Sequence, residues 1–277
     1  LMRLFFMMIV HILVCIPVYA QSGLAAAPMQ LKFDANTGAT QTQKVILSNP
    51  SKGPVMVAAE FSDWYRDSTG NIIYRLPSSL PASCSGWLKI FPASQFVLQP
   101  GELKEVTVML SMPSDALKES TNSMLTFTQL NKQQVMSQQG ILINLAVRVG
   151  IQIYNVPPGV HIKDVDIDQF TDTLFKGEKV VGKQLFLRLR NSGELSAEGK
   201  ASIELTHKET GAKTALPSVP FYTLPGAVRQ ISIPLADSLP PGRYSAVALV
   251  DYGEDQELRV GELEFTNTAN NGLKVVK

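Results

Sequence analysis

Ile141-Leu142-Ile143-Asn144-Leu145-Ala146-Val147-Arg148-Val149-Gly150-Ile151-Gln152-Ile153-Tyr154 is the stretch on which the fold turns. Every odd position from Ile141 to Ile153 is apolar, and Asn144, Arg148, Gly150 and Gln152 lie between. Side chains alternate across a β-strand, so this period of two places the apolar row on one face. The spacing predicts one strand over residues 141–154, well beyond the usual five or six residues. It stops at Asn155-Val156-Pro157-Pro158-Gly159, a stiff break that marks a domain boundary.

Shorter segments of the same kind lie on both sides. Before the break, residues 44–49, 55–61, 72–76, 95–98, 103–110 and 124–129 read as strands, separated by clusters such as Pro50-Ser51-Lys52-Gly53-Pro54 and Asp67-Ser68-Thr69-Gly70-Asn71. Residues 114–120 have room for one helical turn. After the break, residues 160–168, 184–190, 201–207, 228–233, 244–251 and 258–265 continue the series. No long segment carries a 3.6-residue apolar period. Six or seven short strands, twice, predict an all-β chain: two immunoglobulin-like antiparallel β-sandwiches in tandem. The expected spans are residues 28–155 and 160–266, with a flexible tail over 267–277. Tyr244, entering a strand just after Leu239-Pro240-Pro241-Gly242, suits a tyrosine corner.

The amino end reads as a signal peptide over residues 1–20. Arg3 precedes an apolar run, and Val18-Tyr19-Ala20 has the small-x-small exit pattern. The run is shorter than the roughly 20 residues that span a bilayer. The expectation is a periplasmic or secreted chain with no stable membrane span after cleavage. Loss of Arg3 takes the formal charge from +1 to 0, which offers no field to attract nucleic acid. Of the two cysteines, Cys15 leaves with the signal, and Cys84 reads as a small buried apolar residue.

Catalytic chemistry finds little to build on. His161 and His207 have no Cys or second His at metal-ligand spacing and read as surface residues. No glycine-rich phosphate loop, nucleophile elbow or HExxH motif occurs. Asp164, Asp166 and Asp168 alternate as in a calcium loop, but Gln169 and Phe175 stand where the turn glycine and bidentate Glu belong, and Val165 and Ile167 describe a strand with one wet face. No enzyme activity, cofactor, metal or small-molecule substrate is expected.

The segment Trp87-Leu88-Lys89-Ile90-Phe91-Pro92-Ala93-Ser94-Gln95-Phe96-Val97-Leu98-Gln99-Pro100-Gly101-Glu102, with Val106, Val108 and Pro113, resembles the first domain of the periplasmic pilus-assembly chaperones, the PapD-like family. Val45-Ile46-Leu47-Ser48-Asn49-Pro50 is similar to that family's second strand, and residues 141–154 to its last first-domain strand. The likeness covers residues 29–158; the second half is only generically immunoglobulin-like or fibronectin III-like. It implies strand donation to exported pilin-like subunits, with an outer-membrane usher as a further partner. Ile141, Ile143, Leu145 and Val147 would be the donor set, while Val149, Ile151 and Ile153 would pack into the chain's own core. The family's basic pair for a client carboxylate is missing, since Met29-Gln30-Leu31-Lys32-Phe33 has no Arg and the Lys position falls near Gly150. Lys32 and Arg148 are the candidate substitutes. The alternative is a structural or adhesive envelope protein whose sandwiches act as spacers or docking modules.

Overall fold

The computed structural model describes residues 23–136, 141–176 and 181–268. The expected signal peptide and most of the expected tail fall outside them. Among the described residues twelve strands precede the proline break: β1 (Ala25–Ala27), β2 (Gln30–Phe33), β3 (Thr40–Ser48), β4 (Val55–Arg66), β5 (Ile72–Arg75), β6 (Leu88–Phe91), β7 (Gln95–Leu98), β8 (Leu103–Ser111), β9 (Thr121–Gln129), β10 (Gln133–Met136), β11 (Leu142–Leu145) and β12 (Arg148–Asn155). One sheet runs β1-β3-β8-β6; the facing sheet runs β2-β12-β9-β4-β5, with β7 also on β4. Alternation does the folding here. Val45 and Leu47 on β3, and Val106, Val108 and Leu110 on β8, point inward to meet Leu125, Phe127, Ile151 and Ile153. The chain is all-β, as the period of two predicts.

Among the described residues eight strands follow the break: β13 (Val165–Lys176), β14 (Val181–Asn191), β15 (Ala197–His207), β16 (Lys213–Ala215), β17 (Val219–Thr223), β18 (Val228–Pro234), β19 (Gly242–Asp251) and β20 (Arg259–Asn267). They form the sheets β13-β14-β18 and β16-β15-β19-β20, with β17 on β15. Leu185, Leu187 and Leu189 face Ile203, Leu205, Ala246, Ala248 and Val250 in a second, separate core. The Tyr244 hydroxyl donates to the Pro240 carbonyl at 2.8 Å, which makes the tyrosine corner.

Four expectations need correction. The long strand is divided into β11 and β12, with Ala146 and Val147 in neither. Asn267, assigned to the tail, instead closes β20 as a buried residue whose amide donates to the Leu239 and Pro240 carbonyls. Residues 114–120 form turns with no helix. His207 is no surface residue: its ring packs edge-on to Tyr244, 4.9 Å between centroids, with Nε2 3.2 Å from the Pro241 carbonyl.

Candidate functional site

The apolar row splits because its two halves find different partners. β12 pairs with β9 on one side and with β2 on the other, which encloses Ile151 and Ile153. β11 leaves that sheet and pairs with β10 in a separate two-stranded ribbon, its only pairing among the described residues. Val147 is fixed at the junction. Gln129 N–H donates to its carbonyl at 2.9 Å, and its side chain packs against the first core. Gly23 also lies on it: a Cβ there would stand 2.5 Å from the Val147 Cγ2, and Gly23 has φ +93°.

The predicted donor residues therefore differ in environment. Ile141 and Leu145 are 59% and 37% exposed, and Leu142 on the opposite strand face is 56% exposed. Ile143 pairs through its backbone with Val135, and its side chain lies outside what the structure describes. Val147 is half-buried in its own sandwich. Leu142 was passed over in sequence because it falls on an even position.

Lys32 and Arg148 are not brought together. Lys32 lies opposite Tyr154 in the parallel β2–β12 register, six residues along β12 from Arg148. At about 3.3 Å per residue that is roughly 20 Å, too far for one carboxylate. The Arg148 guanidinium instead sits over the Tyr74 ring, 5.6 Å from its centroid. Lys32 lines a cleft of about 710 Å³ between the sandwiches, with Asp34, Tyr154, Lys163, Glu198 and Tyr222. Both signs of charge face this cleft. Lys163 and Glu198 carry no local motif and become visible only when the two sandwiches meet.

Tyr154 and Tyr222 connect the cleft to an apolar cluster beside it. Trp64, Met124, Tyr154 and Leu224 form a buried cluster joining the sandwiches. The Tyr222 hydroxyl donates to the Tyr154 hydroxyl at 2.6 Å. Burial pushes both phenols above their ordinary range.

The other candidates resolve into structural pairs. Asp164 accepts from Arg259 and Ser192, and Asp168 from Arg190. These contacts hold both carboxyls below their usual range, the arginine hydrogen bonds first. Among the described residues no group of three His, Cys, Asp or Glu side chains is placed to hold a metal. No helix there is long and apolar enough to cross a membrane.

No protein-family model and no curated protein matches the chain. Solved structures do. The chain is similar to one from the complex of CsuC with the tip adhesion subunit CsuE, of the archaic chaperone-usher Csu pili of Acinetobacter baumannii. That likeness has 14% identity and a TM-score of 0.48, over 86% of this chain and 98% of that one. It is similar to a chain of a chaperone–tip adhesin complex of CFA/I fimbriae, at 12% identity and TM-score 0.46 over 88% and 98%. It also resembles the class 5 fimbriae chaperone CfaA, at 12% identity and TM-score 0.45 over 87% and 98%.

Proposed function

We propose that this chain is an exported, chaperone-like binding protein that lends the β11 edge to unfinished β-sandwich subunits of pili, fimbriae or related surface structures. The observation that carries this reading is the β10–β11 ribbon. It stands outside both sheets, and Leu142 and Leu145 on β11 are exposed. A short apolar edge of this kind is a template for another strand, with backbone hydrogen bonds for affinity and alternate side chains for fit. The resemblance around residues 87–113 points the same way. The work is binding, in the periplasm, with no chemical step. Delivery to an outer-membrane usher belongs to the same reading. Arg148, next to the ribbon, and Lys32, in the cleft, would contact a client at separate places.

A second reading has its own support. β10 already occupies one edge of β11, which suits a plain structural or adhesive module. The test is to express the exported chain with Leu142→Asp and Leu145→Asp, together with a pilin-type subunit trimmed of its own donor extension. Strand lending predicts loss of co-purification with an unchanged unfolding midpoint. Unchanged co-purification, or none with the unaltered chain, refutes it in favour of the module.

A further inference from the structure

Two sandwiches joined by a linker are expected to move relative to each other unless their interface is large and apolar. We infer that here they are locked as one body, with the tip of the β4–β5 hairpin as the latch; this goes beyond the strand-lending reading and does not depend on it.

The latch has a built geometry. The Asp67 carboxylate accepts from the backbone N–H groups of Thr69 and Asn71, both at 2.9 Å, and shapes the hairpin tip. That tip presents the Ser68 carbonyl to β18 of the second sandwich. There it accepts from Gln230 N–H at 2.7 Å and from Arg229 Nη1 at 3.0 Å. Gly70, at φ +96°, lets Arg229 lie flat on the turn, since a Cβ there would come within 2.9 Å of the guanidinium carbon. On the other face Arg66 donates to the Gly70 carbonyl at 2.8 Å and covers the Tyr222 ring at 5.1 Å. β18 is an edge strand, so the hairpin tip also covers part of an otherwise open edge.

A second attachment excludes rotation about the first. Tyr222 donates to Tyr154, Tyr154 to the Gln152 side-chain oxygen at 3.0 Å, and Gln30 to that same oxygen at 3.1 Å. This relay runs from the second sandwich through β12 to the edge strand β2. The linker is fastened as well: His161 and Ile162 N–H both donate to Glu194, and Glu194 N–H donates back to the Ile162 carbonyl at 2.7 Å. A hinge needs one of these three ties to open.

The test is differential scanning calorimetry with amide hydrogen exchange on the unaltered protein, the Tyr222→Phe and Arg229→Ala double variant, and Tyr222→Phe alone. Each sandwich keeps its own core in both variants, so they fold. The expected result is one heat-absorption peak for the unaltered protein and two for the double variant, with exchange at Gln230 roughly ten-fold faster, the order set by one lost hydrogen bond. Tyr222→Phe alone removes the hydroxyl bond between the sandwiches and lowers the heat-absorption midpoint by roughly 2–4 °C, the order set by one lost hydrogen bond. Two peaks in the unaltered protein overturn the lock. A double variant with one peak, or with unchanged Gln230 exchange, overturns the latch. An unchanged midpoint in the single variant overturns the relay.

Discussion

Truncating the apolar row one residue at a time measures where the chain's own core ends. Ile151→Ala and Leu142→Ala each remove three carbons. Ile151 is fully enclosed between the two sheets. At about 0.8 kcal/mol per buried methylene the lost transfer energy is about 2.4 kcal/mol, and the cavity left behind brings the cost to about 3–4 kcal/mol. Leu142 keeps more than half of its surface in water, so the same truncation costs about 1 kcal/mol or less. Val147→Ala removes two half-buried carbons and falls near the lower figure. The assay is urea unfolding followed by the fluorescence of the two tryptophans, Trp64 fully buried and Trp87 packed against the first core. Equal costs for Ile151→Ala and Leu142→Ala, or more than about 2 kcal/mol for Leu142→Ala, would refute the division of the row.

Two further outcomes are expected. Cys84 is fully buried, and burial pushes its thiol up to about 11, so a maleimide at pH 8 leaves it unmodified until denaturant is added; rapid labelling of the folded chain contradicts this. The Thr69 and Asn71 hydrogen bonds hold Asp67 down to about 2. Its folded pKa lies below the ordinary carboxylate value, so its stabilising contribution is fully present above that value and is lost as pH falls toward 2. The Asp67→Asn variant therefore unfolds with a shallower acid dependence between pH 4 and 2, and an identical acid profile counts against the turn.

The strand content was legible wherever alternation ran unbroken. Residues 95–98 coincide with β7, and the strands read around Val106, Ile203 and Val247 lie within β8, β15 and β19. It failed where pairing, not pattern, decides. β13 begins five residues later than its apolar start suggests, because residues 160–164 run along the Glu194 loop. It also runs eight residues further than expected. A register shift between Ile167 and Gln169 reverses which side chains face inward and hides the period of two in Thr171, Asp172 and Thr173. The break at Ala146–Val147 has no local signal, for neither residue disrupts a strand; contacts from Gly23 and Gln129, distant in sequence, impose it. The pairing of Lys32 with Arg148 failed for the same reason: register is a property of two strands together.

The path of residues 23–33 has a practical consequence. The chain runs through one sheet as β1 and crosses to the other as β2, so a single ribbon stitches shut that flank of the first sandwich. Gly23 at its head has no room for a side chain. Any residue larger than glycine at this position would push against Val147, at the root of the ribbon proposed to meet clients, and would shift the ribbon from its base.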